Sequence, residues 1–273
     1  MRELSAIGLN LTGGVWSIAA GKLRSAINAA SAHWYIARAR SHSKRRNFSY
    51  FYERLIPRIE VHSTWAGKNL GRIAALIDEL HAEHQSLAAD LRLAVARSLD
   101  LSSNARPNQN EPISPEIAYL ANSPIPTRAA NCVHVMRMCS ALATSGHSPI
   151  LIAQSSPEGG EFSANIFDLF GVEPFRVSLI QSSGNFTMDG VLICREGLQA
   201  GATHFFGRSL SGCYAAALAG MPTALEQHLP IRPCDTPLAR DLFRQPAFRG
   251  LIVISQALKN LESGGKWLMC PKH

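Results

Sequence analysis

The chain has 273 residues, of which 46% are hydrophobic and 17% charged. That is enough apolar material for one large core, or a medium one with an appendage, and it excludes a wholly disordered chain. The formal charge of +7 is uneven, since residues 1–110 carry 15 Lys and Arg against 8 Asp and Glu while the remainder carry 12 against 12. A basic first part suits an anionic partner, and long arginine-bearing helices explain the same excess without one.

Six cysteines, Cys132, Cys139, Cys194, Cys213, Cys234 and Cys270, show neither a Cys-x-x-Cys pair nor zinc-ligand spacing. Reduced thiols and a cytoplasmic location are expected. The charge-free stretch 4–21 is broken by Asn10, Thr12, Gly13 and Gly14. It reads as too polar for a signal peptide or a membrane span.

In chain order, residues 8–40 predict one helix, begun or interrupted near Gly13 and Gly14, with Trp16, Ile18, Leu23, Ile27, Trp34 and Ile36 as its bulky members. It runs into a basic cluster, Arg38, Arg40, Lys44, Arg45 and Arg46, beside Trp34 and Tyr35. Rings next to basic side chains suit the interfacial layer of an anionic membrane, peripherally on its inner face. No nucleic acid is expected, because the flank is too hydrophobic for a nucleic-acid arm. A buried hairpin with a solvated basic turn fits the same pattern.

Over residues 67–99, Leu70, Ile73, Ile77, Leu80, His84, Leu87 and Leu91 advance by alternating threes and fours. Such an a/d seam packs along another helix of the chain or along its own copy, so self-association through helix 67–99 is one expectation. Glu79, His81, Glu83 and His84 match neither His-Glu-x-x-His nor its inverse, and read as a solvated face. Residues 102–114, with Pro107, Pro112 and several asparagines, predict a linker. The expected division is therefore a helical region 1–101, a linker 102–114 and an α/β domain 115–261.

Within 115–261, apolar runs at 117–121, 149–153, 175–180, 203–206, 222–227 and 250–254 alternate with helical patterns. This predicts a doubly wound, Rossmann-like parallel sheet with short right-handed crossovers. Ligands in such sheets bind outside the carboxyl ends of the strands, which selects the loops at 122–131, 206–211, 226–230 and Ser255. The first two offer Arg128, Arg208 and backbone amides at helix starts, suited to a diphosphate or sugar hydroxyls. Neither Gly-x-Gly-x-x-Gly after the first strand nor a P-loop is present, which disfavours nicotinamide and nucleoside-triphosphatase chemistry. Glu226 and His228 form a polar end to a strand that packing does not require.

Pro124-x-Pro126-Thr127-Arg128-Ala129-Ala130-Asn131-x-Val133-His134-Val135-Met136-x-Met138, followed by Ala141-Leu-Ala-x-x-Gly146-His147, resembles the opening of the N-terminal domain in family-4 glycosyltransferases of the GT-B fold. Phe206-Gly-Arg-Ser209 before Gly212-Cys-Tyr214, Glu226-x-His228 and Leu251-Ile-Val-Ile-Ser255 are similar too, so the likeness spans about residues 117–258. It implies retaining transfer of a sugar from a nucleotide-sugar donor to a glycan or lipid acceptor, through an oxocarbenium-like transition state, with no cofactor and no metal. On that likeness His228 touches the donor sugar, with Glu226 as its catalytic neighbour. Pro126, Thr127, Arg128, Ala129, Asn131, Arg208, Ser209 and Ser255 are the expected substrate-binding residues.

In that family a second Rossmann-like domain holds the nucleotide with a Glu-x7-Glu element, yet no two glutamates here stand eight positions apart. Residues 262–273 read as an irregular tail and a truncation. The chain by itself is therefore expected to be inactive in transfer. The competing expectation is a noncatalytic interaction protein that binds a membrane or partner through its helical region.

Overall fold

The computed structural model describes residues 30–46, 48–101, 115–156, 165–256 and 258. The expectations for residues 8–29, the 102–114 linker and the 262–273 tail lie outside them. The chain forms two compact units, Met1–Pro57 and Arg58–His273.

In the first unit, a helix over residues 30–44 (α1) is followed by a π-helical segment, Phe51–Leu55. The two are tied by stacking of His42 on Tyr50, with ring centroids 4.7 Å apart, and by the Tyr50 hydroxyl, 3.5 Å from the Tyr35 carbonyl. Trp34 points outward, 52% exposed, and Arg38 lies over its ring.

After α2 (Ile56–Val61), the second unit contains α3 (Ser63–Lys68), α4 (Leu70–His81), α5 (Gln85–Ser98), β1 (Ile117–Ile125), α6 (Ala130–Thr144), β2 (Pro149–Ser155), α7 (Ile166–Phe170) and β3 (Arg176–Ile180). It continues with α8 (Phe186–Gln199), β4 (His204–Gly207), α9 (Leu210–Leu218), β5 (Thr223–Gln227), α10 (Thr236–Phe243) and β6 (Phe248–Val253). All strand pairs are parallel, in the order β3-β2-β1-β4-β5-β6. The order reverses between β1 and β4, so a crevice opens at their carboxyl ends.

Punctuation residues fall where the chain needs them. The turn after α6 passes through Gly146 at φ +87°, and α7 ends on Gly171 at φ +60°, conformations that cost glycine little. Asn165, Asn185, Ser209 and Ser255 each accept a backbone N–H at the start of the helix that follows, which satisfies an otherwise orphaned donor. β1 outruns the expected 117–121. Its ladder with β2 is irregular between Leu120 and Pro124, which accommodates a residue without an N–H, and resumes at Pro124 and Ile125.

On one face of the sheet, α6 and α7 cover a core of Tyr119, Ala121, Ile125, Cys132, Val135, Met136, Cys139, Leu151 and Ala153. On the other, α8 and α9 come close to the strands, with Gly197 so near Phe205, Ala118 and Ile152 that a Cβ would touch all three. A further layer, α3 to α5, packs on α8, α9 and α10. Residues 58–101 share the compact unit of the sheet.

The 67–99 seam is not one helix. The chain turns at 82–84, with His84 at φ −141° and ψ +65°, although Ala82, Glu83 and His84 include no glycine or proline. The turn keeps the seven-residue step by coincidence, and the two halves fold against each other, α4 packing also on α10 and α5 on α9. Leu70, Ile73, Ile77, Leu80, Leu87 and Leu91 are all buried within the unit.

Candidate functional site

The register sets up the site. Tyr119, Phe206 and Ala224 stand side by side on β1, β4 and β5, and Glu226, two residues beyond Ala224, shares their face. Its carboxylate lies at the carboxyl end of β5, where α6 borders the crevice. His134 reaches it from the second turn of α6, and His228 from the loop just after β5.

Glu226 is 3% exposed, yet it has three side-chain donors. The Tyr119 hydroxyl donates to Oε2 at 2.5 Å, while His134 Nε2 and His228 Nε2 lie 2.7 and 2.5 Å from Oε1. The imidazoles meet edge to face, with centroids 4.6 Å apart. Burial by itself would raise the Glu226 pKa, but the hydrogen bonds from Tyr119 and His228 and the charge and hydrogen bond of His134 outweigh it and hold the carboxyl below its ordinary range. Burial first, then Glu226, pushes the Tyr119 phenol far above its ordinary value, with Arg208 opposing; it stays a donor. The side chain of His134 is 32% exposed and that of His228 16%, so the centre has a wall open to solvent.

The loop from β1 to α6 is held by its own residues. Asn131 Nδ2 donates to Ser123 Oγ at 2.8 Å and its Oδ1 accepts the Cys132 N–H, while Thr127 Oγ1 lies 2.8 Å from Cys132 Sγ. Pro126 is buried, whereas Arg128 and Ala129 are exposed at the helix entrance. Ser209 is wholly buried and caps α9 by accepting from Gly212 N, and Ser255 caps the last described turn. Their hydroxyls act on the backbone.

Arg208 differs. Its backbone N–H donates to the Leu120 carbonyl at 2.9 Å, but its side-chain Nη1 is buried with no hydrogen-bond partner among the described residues. Both amide atoms of Asn122 are in the same position. These two polar side chains sit at the ends of β1 and β4, where the strand order reverses. Nearby, Asp189, 2% exposed, accepts from Gln154 Nε2, Ser182 Oγ and the Ser183 N–H, which ties the ends of β2 and β3 to α8.

The structure thus brings together Glu226 and His228, as expected, and adds His134 and Tyr119. His134 is part of the motif that carries the family likeness, but its role as a carboxylate partner is visible only once α6 is docked. Tyr119 reads as a core aromatic in sequence, and only the strand register reveals its polar tip at Glu226.

Fold and site together define an α/β, Rossmann-like domain preceded by helices, with a carboxylate–imidazole centre at the carboxyl edge of the sheet. Comparison with family models, with curated proteins and with solved structures found no match.

Proposed function

We propose that residues 115–258 form the acceptor-side half of a retaining glycosyltransferase site of the GT-B kind. The observation that carries this reading is the set of buried polar atoms without hydrogen-bond partners, both amide atoms of Asn122 and Nη1 of Arg208, on the strands at the switch point. A buried guanidinium nitrogen and carboxamide left unpaired cost free energy unless a ligand pairs with them, and hydroxyls or an anionic group would do so. His228 would contact the transferred sugar, and Glu226 would fix and polarise that imidazole. Arg208 would meet the departing diphosphate, whose charge grows in the transition state. The nucleotide would be held by a second domain, from whatever source. With it would come closure of the cleft and exclusion of water. A cytoplasmic location fits nucleotide-sugar chemistry and the free cysteines.

The test offers histidine-labelled chain a panel of nucleotide sugars, free glycans and vesicles containing glycolipids, and follows the ring signals of His134 and His228. At least one glycan or glycolipid should shift both signals, and Arg208→Ala should abolish the shift. No response to any member at millimolar concentration rejects a sugar site. Turnover of a nucleotide sugar by the chain by itself rejects the half-site.

A second reading is favoured by Trp34 and Arg38 on α1, where a half-exposed indole has a guanidinium 5.3 Å from its centroid. An indole beside a cation seats at an anionic lipid surface. None of the described helices is long and apolar enough to cross a membrane, so attachment would be peripheral. Sedimentation with anionic but not neutral vesicles, lost in Trp34→Ala, is the expected result. Equal behaviour with both vesicles would remove this reading.

A further inference from the structure

We infer that His134, Glu226 and His228 form a binding site for a single divalent transition metal, best matched by zinc. Their ligand atoms, two Nε2 and one carboxylate oxygen, all lie within 4.8 Å of one another. They come from three separate positions, the second turn of α6, the end of β5 and the loop beyond it. No local motif assembles them, and the sheet register and the seating of α6 are what make them converge.

The donor set selects the metal. Two imidazoles and one carboxylate suit zinc and its first-row neighbours, whereas magnesium and calcium ask for oxygen ligands throughout. Three protein ligands with a fourth position open is the arrangement of zinc sites that bind a water or substrate oxygen, and structural sites use four. The open position follows from exposure. The carboxylate forms a floor 2% exposed, while the His134 side chain, 32% exposed, leaves one wall to solvent.

The surroundings orient the ligands. The Tyr119 hydroxyl occupies Glu226 Oε2, which leaves Oε1 as the ligand oxygen and holds the carboxylate in one rotamer. An outer donor of this kind typically tightens metal binding by about 10–100-fold. Both imidazoles already present Nε2 to Oε1, at 2.7 and 2.5 Å. A tetrahedral zinc with bonds of about 2.0–2.1 Å sets ligand atoms about 3.3 Å apart. Each ring therefore withdraws from Oε1 by less than ~1 Å as the metal takes the place of the two Nε2 protons, which pass through solvent to Nδ1 of each neutral ring. Arg208, close enough to act on Tyr119, opposes the metal charge.

The inference rests on the donor set and stands apart from the glycosyltransferase reading, in which no metal takes part. The full chain is stripped with a chelator and titrated with zinc against a chromogenic competitor. Cobalt is then substituted to report the ligands. The expected result is one metal per chain, visible cobalt bands of four-coordinate intensity, and no thiolate-to-cobalt band in the near ultraviolet. His134→Ala, whose side chain is partly exposed, should remain folded by circular dichroism and lose more affinity than Tyr119→Phe, for which a loss of about 10–100-fold is expected. The inference is overturned if zinc binds no more tightly than to His134→Ala, or if the thiolate band shows the metal on cysteine. Running the sugar panel on both stripped and loaded protein separates the two ideas, because zinc binding without any sugar response sinks only the transferase reading.

Discussion

Arg92 of α5 and Asp241 of α10 stand 149 positions apart and are joined through the guanidinium, with Nε 3.1 Å from Oδ1. The Asp241 side chain is wholly buried and also accepts from the Tyr214 hydroxyl at 2.7 Å and from Gln245 Nε2. One carboxylate thus ties the outer helical layer to α9 and α10.

Removing Arg92 leaves that carboxylate without its counter-charge, and breaking a buried pair from one side costs about 3–5 kcal/mol. Arg92→Leu is expected to lower the unfolding free energy by that amount in urea titration. Adding Asp241→Asn should recover a large part of the loss. A loss below about 1 kcal/mol would mean that Tyr214 and Gln245 satisfy Asp241 without Arg92.

Two helical glycines in this unit predict opposite outcomes. A Cβ on Gly190 would sit 2.7 Å from the Gly212 nitrogen and 2.8 Å from Ser211 Cβ, so α8 and α9 could not keep their present distance. Gly190→Ala should cost about 1–3 kcal/mol or more. At Gly67 the nearest obstruction is the sulfur of Met188, the end of a flexible side chain. Gly67→Ala also gains about 1 kcal/mol of helix propensity. Its melting temperature should stay within a few degrees of the parent, while that of Gly190→Ala falls clearly.

Glu226 carries a pH signature. Its folded pKa lies below the ordinary 4.5, so the unfolded chain binds the proton first. Its contribution to stability is full above 4.5 and is lost as the pH falls through the lower, folded value. Unfolding free energy of chelator-stripped protein, followed from pH 7 to pH 3, should therefore decline more steeply below 4.5 in the parent than in Glu226→Gln. Parallel curves would mean that the carboxyl gains nothing from Tyr119, His134 and His228.

The sheet is legible in the sequence because buried parallel strands must be short apolar runs, and Gly146, Gly171 and the Asn and Ser caps mark the ends of the helices between them. The turn at 82–84 is not. Leu80, His84 and Leu87 keep the heptad step through it, and what ends α4 is the packing of α5 back onto it, a tertiary effect that no local residue announces. The site divides in the same way. Glu226 and His228 are two residues apart and visible together, whereas His134 lies 92 positions from Glu226 and Tyr119 107. A separation of that kind becomes a contact only through strand order. Ser209 and Ser255 attract notice as polar residues in the right loops, and both hydroxyls accept an N–H at a helix start.

The outer layer of α3 to α5 has its seat on helices that come much later in the chain. At about 5–20 residues per second, the ribosome needs roughly 7–30 s to travel from Arg92 to Asp241. During that interval Leu70, Ile73, Leu76 and Ile77 of α4, all buried in the finished unit, lack the surface of α10 on which α4 packs. The first helices of the unit are thus among the last to be locked, and newborn chains depend on whatever shields those leucines and isoleucines until the final third has been made.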